Sequence, residues 1–262
     1  LLGRQGKART RLALLVTVRF PSPPDQRDLH LAELQDAGTL GILEHDDGTL
    51  EAWFDTAAAA KPFGAPLPAP VRDWQAEFQA RWFARDIGAR LWLAPPWLDQ
   101  APPAGRIRLD YRPGMACGTG EHPGTRLALT ALDALLAPGD AVLDVGCGSG
   151  LLTHAARQLG ARWACGCDIE FADTSIARDT TPGAQFFVGS ARAVSDGAFD
   201  VTLANINAEV LLTLARELRR VTRRDLILSG FKEGSVPRLT AAFGQPAHRY
   251  ELEGWTALAF RL

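Results

Sequence analysis

The sequence predicts an α/β protein with a doubly wound, mostly parallel sheet and a small α+β domain in front of it. From Thr125 onward, short apolar segments alternate with segments whose apolar residues recur at helical spacing. Such alternation is typical of parallel strands joined by helices that cover both faces of one sheet. At 262 residues, the chain has room for one large domain and a smaller one beside it.

The small domain is predicted from a β-α-β-β pattern, and we assign residues 1–56 to it. Gly38 ends the predicted helix, as glycine commonly does. Asp47-Gly48 lies between two apolar runs, which is a signal for a β-hairpin. The predicted elements are a strand at residues 12–20, a helix at 25–37, and strands at 39–44 and 49–54.

Residues 57–85 are predicted to be a linker followed by an aromatic helix. The first half holds an alanine run and four prolines, which suit neither a helix interior nor a central strand. In residues 71–83, aromatic side chains recur at helical spacing, so one face of this helix is aromatic. We expect this face to pack in a core; a docking surface for a protein is the alternative. The aromatic residues are Trp74, Phe78, Trp82 and Phe83.

Residues 86–262 are assigned to the large domain. In a doubly wound sheet, a ligand binds at the carboxyl ends of the strands, where the strand order reverses. Strands are predicted at residues 90–93, 106–110, 141–145, 163–167, 185–188, 201–204 and 226–228, with a terminal antiparallel pair at 249–252 and 256–260. Helices are predicted at residues 125–136, 150–159, 175–179 and 209–221.

Composition excludes several classes of protein. Apolar residues make up 47% of the chain and charged residues 22%, which is ordinary for a globular enzyme. A net charge of −2 gives no general attraction to nucleic acid, and no apolar stretch is long enough to span a membrane. The four cysteines lack zinc-site spacing, so we expect reduced, mostly buried thiols and no metal site. We expect a cytoplasmic monomer.

The strongest candidate for a binding site is the turn Gly146-Cys147-Gly148-Ser149-Gly150. Glycines allow the backbone to pass close to a ligand, and the helix that follows presents free backbone amides. Asp168 closes the next strand, and a carboxylate there suits a ribose with free hydroxyls, as in NAD or S-adenosylmethionine. The G-x-G-x-G spacing disfavours a nicotinamide oxidoreductase. A helix N-cap is the alternative role for Asp168.

Asn205 ends a later strand at the same edge of the sheet. Its side chain offers one carbonyl acceptor and two amide donors, so it could hold a substrate nitrogen or the amino acid part of a cofactor. The alternative is that Asn205 caps the helix beginning near Glu209. Asn207 fits that capping role better.

Residues 114–125, Gly-Met-Ala-Cys-Gly-Thr-Gly-Glu-His-Pro-Gly-Thr, together with the glycine turn and Asn205-Ile206, resemble the ribosomal protein L11 methyltransferase family. The resemblance covers about residues 71–262. It implies the Rossmann-like class I methyltransferase fold, S-adenosylmethionine as cofactor, and amino groups of a protein such as L11 as substrate. The cofactor-binding residues predicted from the turn and the resemblance together are Thr119, Thr125, Gly146, Gly148, Gly150, Asp168 and Asn205.

The chain also departs from the family pattern. Cys117 stands where the family has phenylalanine, and Asn207 where it has leucine. The family's substrate-recognition domain has two β-α-β halves, whereas residues 1–56 provide one, so we expect a shortened recognition domain. His122 lies in the signature loop, which in that family folds over the cofactor, and we expect it to pin this loop by hydrogen bonding rather than to act as a base.

These observations predict an S-adenosylmethionine-dependent N-methyltransferase in which Asn205 is the catalytic residue. A methyl transfer requires a neutral amine about 3 Å from the methyl carbon, and Asn205 would orient that amine. Two alternatives remain open: a methyltransferase acting on a small molecule or another protein, and a protein that binds the cofactor without catalysis. Methylation of adenine in nucleic acid is disfavoured, because Asn205-Ile206-Asn207-Ala208 lacks the proline pair and aromatic residue that would clamp a flipped base.

Overall fold

A computed structural model describes residues 15–69, 79–80, 82–110 and 120–262. The chain forms two compact units that divide between residues 79 and 80. Most of the predicted aromatic helix lies outside the described residues, as do Cys117 and Thr119. In the part that is described, no helix is both long and apolar enough to cross a membrane.

The first unit is a four-stranded antiparallel sheet in the order β2-β3-β1-β4. Leu34 on its main helix packs with Val18, Leu50 and Phe54 of the strands to form the core. The predicted β-α-β-β pattern is confirmed, and the structure adds a short helix and an edge strand after it. The elements are β1 Val16–Pro21, α1 Arg27–Asp36, β2 Gly41–Glu44, β3 Thr49–Phe54, α2 Ala57–Ala60 and β4 Leu67–Pro68.

The added strand β4 shows how proline can enter a sheet. Pro68 pairs with Val16 of β1 at the edge of the sheet, where no other strand of the described ranges requires its missing N–H. The helix α2 starts at Thr56, whose hydroxyl accepts a hydrogen bond from the backbone of Ala59. The prediction from composition therefore missed two short elements, α2 and β4, in the range that was assigned to a linker.

The second unit begins with a small three-stranded sheet in the order β5-β6-β7. Its strands are β5 Arg85–Ile87, β6 Leu91–Ala94 and β7 Ile107–Asp110. The turn between β5 and β6 is fixed by Asp133, whose carboxylate accepts hydrogen bonds from the backbone of Ala89 and from Arg90. Pattern analysis found β6 and β7 but not the three-residue β5.

The main sheet has seven strands in the order β10-β9-β8-β11-β12-β14-β13, the first five of them parallel. Apolar clusters cover both of its faces, which confirms the doubly wound α/β class. The strands are β8 Ala141–Val145, β9 Trp163–Asp168, β10 Gln185–Val188, β11 Phe199–Asn205, β12 Thr222–Lys232, β13 His248–Leu252 and β14 Trp255–Arg261. The helices are α3 Pro123–Leu135, α4 Leu151–Gln158, α5 Phe171–Thr180, α6 Ala208–Thr213, α7 Ala215–Val221 and α8 Val236–Phe243.

Two helical regions differ from the prediction. The single helix expected at residues 209–221 is two helices, α6 and α7, which meet at Leu214. Helix α8 was missed because Pro237 interrupts the pattern, yet proline is well tolerated in the first turn of a helix. Leu239 and Phe243, one turn apart on α8, are both buried.

The order of the strands defines where a ligand can bind. From β8 the chain moves outward through β9 and β10, and then returns to the other side of β8 to form β11 and β12. The connections on the two sides of β8 therefore leave in opposite directions and open a crevice at the carboxyl ends of β8 and β11. The glycine turn follows β8, and Asn205 ends β11.

Candidate active site

A cavity of about 380 Å³ lies at this crevice. It is formed by the first turn of α3, the glycine turn after β8, the end of β11, and Trp255 at the start of β14. Of the residues predicted from sequence, Thr125, Gly146, Gly148 and Asn205 line this cavity. The fold thus brings together residues that are widely separated in the sequence.

The glycine turn requires glycine at all three predicted positions, because Gly146, Gly148 and Gly150 have φ angles of 74°, 49° and 79°. A Cβ atom on Gly146 would lie 2.4 Å from Ile206 Cγ2. The backbone amides of Gly146 and Cys147 both donate to the carbonyl of Cys167, at 2.8 and 3.0 Å. The turn is therefore fastened to the end of β9.

Asp168 lies at the carboxyl end of β9, beside the turn. One carboxylate oxygen accepts a hydrogen bond from the backbone of Gly148 at 3.0 Å, and the other accepts from Glu170 at 3.2 Å. The N-cap of α5 is Glu170, so the alternative that Asp168 caps this helix is wrong. The carboxylate is only partly buried, and its remaining lone pairs can accept hydrogen bonds from the hydroxyls of a ligand.

Three large apolar side chains around Asp168 are exposed, and the sequence analysis missed them. Ile169 is 75% exposed, Phe171 70%, and Val188, the register partner of Asp168 on β10, 50%. Exposed apolar groups gathered at the carboxyl ends of β9 and β10 indicate a binding surface. The signal in the sequence was an isoleucine directly after the strand-ending aspartate, where a polar loop residue is more usual.

Asp144 on β8 is completely buried below the glycine turn. One of its oxygens accepts hydrogen bonds from the backbone amide and the hydroxyl of Thr153, at 3.1 and 2.8 Å. The other oxygen has no hydrogen-bond partner among the described residues. Burial raises the pKa of Asp144 from 3.8 to about 7, against the opposing effect of the Thr153 hydrogen bonds.

Asn205 has a similar unpaired acceptor. Its amide nitrogen donates to the Thr125 hydroxyl at 3.1 Å, while its carbonyl oxygen is buried and has no partner in the described part of the chain. Asn207, not Asn205, caps α6 by accepting a hydrogen bond from the Val210 backbone at 3.0 Å, as predicted. Asn205 therefore presents an unused hydrogen-bond acceptor within the wall of the cavity.

His122 is the N-cap of α3. Its Nδ1 accepts a hydrogen bond from the Gly124 backbone at 3.1 Å, which caps the helix, while most of the loop that it was expected to pin lies outside the described residues. Its ring packs edge-on against Trp255, with the ring centroids 4.2 Å apart. Trp255 was missed by the sequence analysis because it lies more than 100 residues from the glycine turn, within an ordinary strand pattern.

These groups fit an adenosyl sulfonium. The exposed apolar surface at Ile169 and Val188 suits a flat base, Asp168 suits ribose hydroxyls, and the glycine turn accommodates close backbone approach. The carbonyl oxygen of Asn205, a residue that lines the cavity, is buried without a hydrogen-bond partner among the described residues, and its negative partial charge suits a ligand that carries positive charge. Over the described ranges, no three His, Cys, Asp or Glu side chains are grouped so as to hold a metal ion.

Comparisons with known proteins give a consistent result. Residues 69–261 match the profile of a family described as "Ribosomal protein L11 methyltransferase (PrmA)". A ribosomal protein L11 methyltransferase from Neisseria meningitidis is 38% identical over 199 residues, which cover 72% of this chain and 66% of that protein. The match to that relative therefore spans slightly less than two thirds of its length.

A relative of the same name from Deinococcus radiodurans is 35% identical over 266 residues, covering 92% of this chain and 91% of that protein. Among solved structures, a ribosomal protein L11 methylase from Lactobacillus delbrueckii subsp. bulgaricus is similar, with a TM-score of 0.62 and 28% identity. The superposition covers 68% of this chain and 97% of the solved one.

Proposed function

The chain belongs to the ribosomal protein L11 methyltransferase family, and on that premise we propose that it methylates amino groups of a protein with S-adenosylmethionine as the methyl donor. The observation that carries this proposal is the unpaired carbonyl oxygen of Asn205 in the wall of the cavity. No donor reaches this oxygen from the residues that the structure describes, and Asn205 lines the same cavity as a glycine turn that fits the cofactor. An amine nitrogen can supply the missing N–H.

We assign the cofactor to the surface described above. Asp168 would accept hydrogen bonds from the ribose hydroxyls, and Ile169 and Val188 would cover the faces of the adenine ring. Gly146, Gly148 and Thr125, all of which line the cavity, would hold the amino acid part. Gly150 supports the turn through its positive φ angle rather than by lining the cavity. Thr119 stays a prediction outside the described residues.

When bound, S-adenosylmethionine supplies a methyl group that is activated by the adjacent sulfonium charge. The residues of the chain then have to hold an uncharged amine in line with that group, since an ammonium ion has no lone pair. Free lysine has a pKa of about 10.4, so the site must favour the neutral amine. Trp255 and the buried surroundings of Asn205 remove water from the amine, which lowers its pKa. The Asn205 carbonyl oxygen accepts an N–H and so turns the lone pair toward the methyl group.

We propose ribosomal protein L11 as the substrate and the first unit as the recognition domain. The support is the family name of the relatives and the match to the Deinococcus protein, which extends over 92% of this chain and therefore into its first unit. We further propose a cytoplasmic monomer that does not bind nucleic acid directly, in line with a net charge of −2. Light scattering and a nucleic-acid filter assay would test the last two points.

The test is methyl transfer from radiolabelled cofactor to purified ribosomal protein L11, free lysine and small amines. We expect labelled L11 and much weaker labelling of the small amines. Labelled amines with no labelled L11 would contradict the proposed substrate. Cofactor binding without transfer to any acceptor would instead support a non-catalytic binding protein.

Asn205→Ala tests the proposed catalytic role. Turnover should fall about 10- to 100-fold, because an acceptor bond to the reacting amine is lost, while cofactor affinity should change less. The matched control is Thr202→Val on the same strand. Its hydroxyl bonds the Thr222 hydroxyl at 2.7 Å within the buried sheet, so its loss should affect stability and not turnover. Unchanged turnover in Asn205→Ala would remove this residue from the mechanism.

A further inference from the structure

Two neighbouring strand ends hold the first turn of α3. Asn205 on β11 and Ser229 on β12 are register partners in the parallel ladder. Asn205 donates to the side chain of Thr125, and Ser229 donates to the backbone carbonyl of Gly124 at 2.7 Å. Two consecutive helix residues are therefore bonded to two adjacent strands.

The Ser229 contact is fully buried, since the residue has no exposed surface. The packing around it is tight: a Cβ on Gly124 would lie 3.1 Å from Asn205 Oδ1 and 3.3 Å from Gly230 Cα. The helix turn therefore has little freedom to shift along the strand ends while the Ser229 bond is intact. Without this bond, the Gly124 carbonyl would lose a partner that water cannot easily replace.

The backbone beside Ser229 is also specialised. The pairing of β12 with β14 changes register between Leu228 and Phe231, which marks a bulge. Within it, Gly230 has a φ of 90°, and a Cβ there would lie 2.7 Å from the Ile206 carbonyl oxygen. The bulge thus brings β12 against the segment that follows Asn205, so Ser229, Gly230 and Asn205 form one packed unit.

The orientation of the Asn205 amide depends on this unit. The Thr125 hydroxyl accepts from the amide nitrogen, and this leaves the carbonyl oxygen buried beside Gly124, without a partner among the described residues, in a side chain that lines the cavity. A shift of the α3 turn would release the amide to rotate and to satisfy its oxygen elsewhere. The anchored Gly124 fixes the position of its neighbour Thr125. Thr125 in turn decides which end of the Asn205 amide is bonded and which end is left for the substrate.

We infer that Ser229 is a positioning residue for methyl transfer: its hydroxyl fixes the first turn of α3, so that Thr125 holds the Asn205 amide with its carbonyl oxygen toward the acceptor amine. This inference rests on the proposed function. Ser229 itself does not line the cavity, and it acts through Gly124, Thr125 and Asn205.

The first test is a double-mutant cycle. Ser229→Ala should lower kcat about fivefold to tenfold, the effect of one buried hydrogen bond. Added to Asn205→Ala, it should change kcat by less than about twofold, because the group it positions is already absent. Thr202→Val is the control and should leave kcat unchanged in both backgrounds. If Ser229→Ala lowers kcat equally in both backgrounds, or in neither, the inference is wrong.

The second test needs no ligand and uses a feature of the sequence. Asn205 and Asn207 are the only asparagines in the chain, so labelling with ¹⁵N-asparagine gives just two side-chain amide groups, each seen as one pair of signals. Ser229→Ala should shift or broaden the Asn205 signal and speed its exchange with water, while Asn207 serves as the internal reference. An unchanged Asn205 signal would overturn the inference. Because this result does not depend on turnover, it is separate from any failure of the proposed function.

Discussion

Replacing Asp144 with asparagine should remove a large pH dependence from the stability of the protein. Asp144 is fully buried and its pKa is raised by burial from 3.8 to about 7, so the folded state holds a proton that the unfolded chain has lost. The free energy of unfolding that this protonation contributes has its full value below about pH 4 and decreases as the pH rises to about 7. Above that pH it no longer changes. One pH unit corresponds to about 1.4 kcal/mol, which gives about 4 kcal/mol in total and about 3 kcal/mol between pH 5 and pH 8.

The assay is urea unfolding of the wild type and Asp144→Asn at a series of pH values. Asparagine has nearly the same shape and keeps an oxygen for Thr153, but it has no charge to lose. The difference in unfolding free energy between the two proteins should therefore shift toward the variant by about 3 kcal/mol as the pH rises from 5 to 8. Asp99→Asn, at an exposed aspartate of the second unit, is the control and should show no such shift. Parallel pH curves for the wild type and Asp144→Asn would refute the reasoning.

Three further substitutions test the site and its support. Asp168→Ala should weaken cofactor binding by about tenfold or more in calorimetry, through loss of the acceptor for the ribose hydroxyls, and unaltered affinity would count against that role. Gly146→Ala should abolish cofactor binding because its Cβ would meet Ile206, whereas Gly139→Ala, also at positive φ but in open space, should only reduce the melting temperature. Asp133→Ala should cost about 3 kcal/mol in urea unfolding, since it leaves the backbone of Ala89 and the Arg90 guanidinium without their partner; a cost below about 1 kcal/mol would mean that solvent replaces it.

Sequence patterns predicted those parts of the fold that local rules determine. Alternating apolar segments located β8, β9 and β10 to within one residue, and Asp47-Gly48 located the hairpin of the first unit. The three-residue β5 escaped because its stability comes from pairing with β6 and from Asp133, more than 40 residues away. The break between α6 and α7 at Leu214 has neither proline nor glycine to signal it. Tertiary packing overrides helix propensity there.

Some features of the candidate site could likewise be predicted from the sequence, and others could not. The glycine turn, Asp168 and Asn205 could be proposed because residue type and position at strand ends are visible in a sequence. Which polar atoms of these side chains are hydrogen-bonded and which are left unpaired could not be predicted. Which end of the Asn205 amide is free depends on Thr125, 80 residues earlier, and on a bulge in β12 that no composition rule indicates.

Buried aspartates at the two ends of the sheet show how the site differs from the scaffold. At the amino ends of the strands, Arg224 binds both oxygens of Asp140 and one of Asp225, and Arg261 binds the other. At the carboxyl end of β8, only four residues from Asp140, Asp144 has one oxygen without a partner among the described residues. Burial raises the pKa of Asp144 to about 7, so the folded chain keeps this carboxyl protonated at lower pH, and its ionisation at higher pH costs stability. A ligand that carries a sulfonium and an ammonium group in the neighbouring cavity would favour the ionised carboxylate and so lower the pKa of Asp144, whereas Asp140 and Asp225 already have arginine partners.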